Sequence, residues 1–493
     1  MSSSNNLRLL AIGLDAAEPS LIQKLIDDGS MPNLAALVKE GRWLHLKAPA
    51  HIGSGSVWPT FITGTPPTKH GLYSEWIWRP AKMGLERYHG RDLVPFWKQL
   101  DEQGVAVGVL DVPFATPVGL RKGFEVSEWW AHDSVLAKTL SGPEAIGAIL
   151  RELPPHPLIR RRQDAVRPDD AAAVRRFTAD TREGVRVRGA LAQRLIDHAQ
   201  PALALIVFPE THHAGHHLWQ TVAANHPLFQ GRGMFSSEPL LTEVYREIDQ
   251  QIGSLVDKVG ANATVMVFAL HGMKATFGSP GFLPELLCAR GFSRVTNWMS
   301  QSWSERRWST LAGIKRGALP AVRELYYKLA PQRIIQQVAR PTMLPIYDWQ
   351  HTRAFSLPTD QFGWIRVNLE GREAQGCVPL ERYRETLDEL ESMLTKLTDR
   401  EGSPLVHQLV RTVTNGDEVS CHRIPDLVVH WHDAAFASRL RIADTDFEAK
   451  PVGIKTGQHA LDGFCVIRGK GRLNVSNPIL AEDMGGLITE MLV

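Results

Sequence analysis

The chain has 493 residues, 55 of them basic and 53 acidic, a length that holds one large α/β domain with insertions or two ordinary ones, and a balance that excludes the charge footprint of a nucleic-acid polymer partner. Its four cysteines, Cys288, Cys377, Cys421 and Cys465, lie far apart without metal-type spacing, which excludes a disulfide framework and fits a reducing compartment. No run reaches the ~20 apolar residues of a membrane span, and Leu7 to Leu14 is too short for a secretory signal, so the expectation is cytoplasmic.

Leu9 to Leu14 reads as a buried strand ending in Asp15, and a helix from about Glu18 to Asp28 stops near Gly29. Asp15 therefore stands at the carboxyl end of a strand, where an aspartate serves as a cation ligand or as a helix cap. Next comes Gly53-Ser54-Gly55-Ser56, directly before a helix. Glycines allow close backbone approach and a helix start favours an anion, which suits a metal-activated serine nucleophile facing a phosphate; a plain loop is the alternative.

Val105 to Val112 reads as a further strand. Residues 159 to about 190 carry Arg160, Arg161, Arg162, Arg175 and Arg176 in Ala-rich sequence, a helical insertion with either a solvated face or an anion-binding lid. Leu203 to Phe208 is a third buried strand, followed by His212-His213-Ala214-Gly215-His216-His217. If the chain turns helical there, imidazoles four apart share a face and can grip one ion. Both His212/His216 and His213/His217 satisfy that spacing.

Val265 to Leu270 is a strand delivering His271 to the same edge of the sheet. Residues 297 to 345 hold Trp298, Trp303, Trp308, Tyr326 and Tyr327 among Arg306, Arg307, Lys315 and Arg316, a helical insertion that packs on the core, caps a site, meets a membrane surface or makes the contact of a homo-oligomer. Gly363 to Leu369 and Asp426 to Trp431 are strand-like and extend the sheet or form a small sub-sheet. Thr456-Gly457-Gln458-His459 brings the last histidine of the set. The alternation of strands and helix-length segments predicts an α/β fold with a mostly parallel central sheet covered by helices on both faces, as a single large domain over residues 1–493.

These stretches together resemble bacterial members of the alkaline phosphatase superfamily, of the type I phosphodiesterase/nucleotide pyrophosphatase group. The resemblance rests on Asp15 with Met31-Pro32-Asn33-Leu34, Ser54 through Trp58, Thr63-Gly64, Pro67, His70-Gly71, Phe96-Trp97 to Val112-Pro113, the histidine cluster and His271-Gly272. It continues through Asn368-Leu369-Glu370-Gly371-Arg372-Glu373, Pro425-Asp426-Leu427 and Gly457-Gln458-His459. It implies Ser54, four residues before Trp58, as the catalytic nucleophile, with Ser56 as the fallback. It also implies two metal sites, His212, His216 and His459 around one ion, and Asp15, Ser54 and His271 for the other.

The sequence departs from the family pattern twice: His212 stands where the family has an aspartate, and Leu270 replaces the aspartate of an Asp-His-Gly. Two divalent ions ~4 Å apart need anionic ligands, so the second site is expected to be weakened. Glu75 and Glu210 are candidates to restore a carboxylate. The expected function is metal-dependent hydrolysis of a phosphodiester or another small phosphorylated compound, with one or two divalent ions, zinc first and iron or manganese after it. The alternatives are a mononuclear three-histidine enzyme with non-phosphate or redox chemistry, and a degenerate ligand-binding homologue.

Overall fold

The computed structural model describes residues 7–88, 93–130, 139–160, 166–223, 226, 239–260, 263–276, 281–297, 344–359, 361–399, 401–413, 419, 422–432, 439–442, 445–448, 455–469 and 475–492. The chain forms two compact units, one of Met1–Glu75, His89–Phe277 and Val452–Val493, the other of Trp76–Tyr88 and Gly278–Pro451.

The first unit is built on a sheet of nine strands. They are β1 (Leu9–Leu14), β2 (Arg42–Lys47), β3 (Val107–Leu110), β4 (Gly123–Ser127), β5 (Leu140–Gly142), β6 (Leu203–Phe208) and β7 (Thr264–Ala269). After a small ribbon of β8 (Met273–Ala275) and β9 (Gly457–His459) come β10 (Asp462–Arg468) and β11 (Ile479–Leu480). Their order is β11-β2-β10-β7-β1-β6-β3-β4-β5. From β7 through β4 every pairing is parallel, while β10 runs against β7 and β2, and β5 against β4.

Parallel strands covered on both faces have no solvent side, which is why β1 and β6 are unbroken apolar runs, buried at every position. The helices that bear on the site are α1 (Pro19–Asp27), α2 (Pro32–Glu40), α3 (Val57–Thr63), α4 (Ala171–Ala199), α5 (Glu210–Leu218) and α6 (Leu240–Val259).

The arginine-rich stretch expected as an inserted helix is, from Ala171 onward, a helix of the core. One stripe of α4, including Val174, Phe177, Val185, Leu191 and Leu195, is buried, and the flank facing α6 pairs Arg182 with Glu243 at 2.8 Å and Arg186 with Glu247 at 2.6 Å. Arg175 and Arg176 keep a solvated face. The apolar stripe between its arginines explains the difference, since period 3.6 puts those residues on one side. The Trp-rich stretch lies outside the described residues over 298–343.

The second unit contains an antiparallel sheet of four strands in the order Ala354–Leu357, Gly363–Val367, Leu427–Trp431, Val406–Arg411. The late strand-like runs thus form a sub-sheet of their own. Beside it lies a buried ionic lattice. Arg372 grips Asp426 through two parallel contacts, Nη1–Oδ1 at 2.7 Å and Nη2–Oδ2 at 2.8 Å. Arg366 Nε and Arg372 Nε both donate to Glu373 Oε1, at 2.7 and 2.9 Å, and Tyr383 donates its hydroxyl to Asp426 Oδ1 at 2.7 Å. Among the described residues no helix is long and apolar enough to cross a membrane.

Candidate active site

β1 lies between β6 and β7, with Leu14 level with Phe208 and Gly13 level with Phe268. The residues that follow these strands therefore meet at one carboxyl edge of the sheet, where open α/β folds present their ligands. Asp15 follows β1, α5 follows β6 after Pro209, and Leu270-His271 follows β7. His459 returns to the same place because β9 pairs antiparallel with β8, setting His459 opposite Met273.

All residues of α5 are buried, so its two faces have different tasks. His213 packs against Trp130, ring centroids 4.2 Å apart, and His217 against Phe177 at 5.2 Å. The other face carries His212 and His216. This decides between the two registers that the spacing left open. His212 Nε2 lies 2.9 Å from His216 Nε2 and 2.9 Å from His459 Nε2. His212 Nδ1 lies 2.9 Å from Asp15 Oδ2, and His271 Nε2 lies 4.0 Å from Asp15 Oδ1. Two sets of potential ligand atoms result, His212/His216/His459 and Asp15/His212/His271, all of these residues buried.

The tautomers follow from the partners. His216 Nδ1 is 2.8 Å from the carbonyl of Gly457, which can only accept, so Nδ1 carries the proton and Nε2 a lone pair. His212 Nδ1 faces a carboxylate, again an acceptor, so in the neutral ring its Nε2 likewise holds the lone pair. Two lone pairs 2.9 Å apart repel unless a cation lies between them. A third imidazole nitrogen at the same point makes the donor set that of a borderline-soft divalent ion, which these residues fit. His271 keeps its lone pair too: burial pulls its pKa down to about 4, against a smaller opposing effect of its contact with the Gly272 carbonyl.

Backbone contacts fix this geometry. The Thr211 hydroxyl donates to the Asp15 carbonyl at 2.6 Å, and the Thr456 N–H donates to the His216 carbonyl at 2.6 Å. Gly457 allows the latter approach, because a Cβ there would stand 2.2 Å from the carbonyl oxygen of Gly215 on α5.

Ser54 opens a single tight turn, Ser54–Ser56, that runs into α3, and it is half-buried. One helical turn on, Trp58 donates its indole N–H to Asp15 Oδ1 at 2.8 Å. Its ring fills the space over Gly13, where a Cβ would meet it at 3.0 Å. The turn that holds Ser54 is thus tied to the cluster through Asp15. Ser56 is buried, and its hydroxyl is within reach of the carbonyls of Gly53 at 2.7 Å and Pro49 at 2.9 Å, so it holds the turn together.

Leu270 is buried and offers no ligand. Glu210 does not replace the missing aspartate: its Oε1 accepts from Arg188 Nε at 2.7 Å, and Arg188 Nη1 reaches Asp111 Oδ2 at 2.7 Å, all three side chains fully buried. Glu75 belongs to neither set of ligand atoms. Sequence reasoning missed the parts played by the Trp58 indole and the Gly457 carbonyl. The sequence reading used Trp58 only for its spacing from Ser54, and only its packing over Gly13 and its hydrogen bond reveal that it also holds Asp15.

Among solved structures, phosphonoacetate hydrolase from Sinorhizobium meliloti 1021 is similar, in its complexes with phosphonoformate and with phosphonoacetate. Each has a TM-score of 0.53 and 14% sequence identity, covering 99% of this chain and 96% of that one. Human ectonucleotide pyrophosphatase/phosphodiesterase 5 gives a TM-score of 0.49 at 11% identity, over 98% of this chain and 94% of its own. The first likeness agrees with an alkaline phosphatase-like α/β fold. No curated protein matches the chain in sequence. The family model for type I phosphodiesterase / nucleotide pyrophosphatase matches residues 9–445, and the chain belongs to that family of phosphoric ester hydrolases.

Proposed function

We propose that this protein hydrolyses a phosphodiester or another small phosphorylated compound, with Ser54 as nucleophile and a divalent ion, zinc first among the candidates, held by His212, His216 and His459. The observation that carries the metal is the pair of Nε2 lone pairs facing each other at 2.9 Å, each fixed by an acceptor behind its ring. A divalent ion there supplies positive charge to a phosphoryl oxygen as charge builds in the transition state.

The chain's own residues supply the rest. Ser54 Oγ forms a bond to phosphorus while the ester P–O bond breaks in line with it, and the serine proton ends on the released alcohol. Water then cleaves the phosphoserine, giving phosphate, or a monoester from a diester, and restoring the serine. Trp58 and Asp15 hold the turn of Ser54 against the sheet edge. The free thiols Cys288, Cys377 and Cys465 support a reducing, cytoplasmic setting.

The test is Ser54→Ala with the ion retained, assayed on phosphomonoesters, phosphodiesters, phosphonates and sulfate esters. Loss of about 10³-fold or more in turnover of the best substrate is expected. Unchanged turnover removes Ser54 as the nucleophile.

A further inference from the structure

We infer that the centre holds a single ion, bound by the three imidazoles, and that Asp15 acts on it through His212 instead of ligating a second ion. This rests on the reading of His212, His216 and His459 as metal ligands. Both candidate ligand sets contain His212. A neutral imidazole has one lone pair, and that of His212 points through Nε2 to His216 and His459. Its Nδ1 carries the proton that Asp15 Oδ2 accepts at 2.9 Å. One neutral ring cannot serve both sets.

Without His212 the second set is Asp15 and His271, with the Ser54 hydroxyl the only further group the family resemblance assigns to it. The position that follows β7 is Leu270, which has no lone pair to give. Both oxygens of Asp15 already accept a hydrogen bond, Oδ1 from Trp58 and Oδ2 from His212. A catalytic zinc site takes about three protein ligands. The three-imidazole set meets that number with three nitrogen lone pairs, whereas Asp15 and His271 reach it only by counting the neutral hydroxyl of Ser54, a weak ligand until it loses its proton.

The charge argument agrees. Two divalent ions ~4 Å apart are stable only among several anionic ligands, and Asp15 is the one carboxylate in either set among the described residues. What remains is a carboxylate–histidine–metal chain from Asp15 through His212, with the Gly457 carbonyl doing the same for His216. Partners placed in this way fix the tautomer and the ring orientation of a metal ligand. Asp15 is a positioning residue in this scheme.

The test is metal content, read without substrate. Apoprotein is reconstituted with Zn²⁺ or Co²⁺, freed of excess, and analysed for ions per chain and for affinity by titration. About one ion per chain is expected for the native sequence and for His271→Ala, and loss of that ion for His212→Ala. Asp15→Asn, which keeps the shape of the side chain, should still bind one ion with affinity lowered about 10- to 100-fold. It should also perturb the visible spectrum of the Co²⁺ form without abolishing it.

Two ions per chain, loss of an ion in His271→Ala, or no tight ion at all would overturn the inference. Complete loss of the ion in Asp15→Asn with a native circular dichroism spectrum would do so as well. The His271→Ala arm decides the matter if Asp15→Asn does not fold. Unchanged hydrolysis in Ser54→Ala would remove the serine mechanism and leave the ion count untouched, so the two failures are distinguishable.

Discussion

Gly457 shows how a single residue sets the geometry of the proposed metal ligands. The carbonyl of Gly457 orients His216, and two residues on, His459 completes the set. Both contacts require β9 to lie directly on the backbone of α5. A methyl group at this position would sit 2.2 Å from the Gly215 carbonyl oxygen, a backbone atom that no rotamer change can move away. Gly457→Ala should therefore push β9 off α5, costing about 1–3 kcal/mol of stability, as overpacking does. It should weaken ion binding well beyond an exposed glycine control such as Gly486→Ala, where an added Cβ meets nothing within 4 Å. Thermal melts of apoprotein and holoprotein, with ion titrations, check this; unaltered affinity with a normal melt would show that β9 does not set the ligands.

At the scale of elements, α5 must enter the sheet edge at a fixed angle for His212 and His216 to converge, and its first residue is Glu210. Arg188 on α4 holds that glutamate on one side and Asp111, just beyond β3, on the other. One guanidinium does not fully offset two carboxylates, so burying the three is tolerable only while each is paired and hydrogen-bonded, Asp111 also accepting from the N–H groups of Trp129 and Trp130. Arg188→Met should destabilise the first unit by about 3–5 kcal/mol, because it leaves two carboxylates buried without their cation. Adding Glu210→Gln and Asp111→Asn should recover most of that loss; denaturant unfolding of the single and triple variants checks it.

This element also shows the limits of the sequence. Its existence, its start after a six-residue apolar strand and the four-residue spacing of its histidines are all local patterns, and they were legible. So were Asp15 and His271 at strand ends, since strand periodicity alone puts them at one edge. Helical spacing alone left open which histidine pair faces the site, and only the family resemblance pointed to His212 and His216. That is decided by Trp130 and Phe177, residues brought to α5 by tertiary packing. The engagement of Glu210 by Arg188 was hidden for the same reason, and it turned an apparent spare carboxylate into scaffold. The segment Asn368 to Glu373 carried the family resemblance, yet its arginine and glutamate form a buried lattice with Asp426 whose partners lie far along the chain.

Across the whole molecule, the two compact units rest on different electrostatics, and solution conditions should separate them. Every candidate ligand atom belongs to the first unit. An ion bound only by the folded state raises stability by about 2.7 kcal/mol when its concentration is 100 times the dissociation constant. Adding metal to apoprotein should therefore raise the unfolding transition of that unit in the native sequence and leave His212→Ala unchanged.

In the second unit the charge to watch is Asp426. Burial alone would raise its pKa, but the Arg372 guanidinium and the His422 ring beside it outweigh burial and hold it well below the usual carboxylate range. A carboxyl depressed in the folded state contributes stability that is fully present above its unfolded pKa of about 3.9, and that is lost as pH falls toward the folded value. Asp426→Asn should thus be clearly less stable than the native sequence from pH 8 down to about 5, with the gap narrowing only below roughly pH 4. Melts of both proteins across that range decide it. A gap that closes already near pH 6 would mean that another group carries the acid sensitivity of this unit, and that the Arg372–Asp426 contact contributes little to its stability.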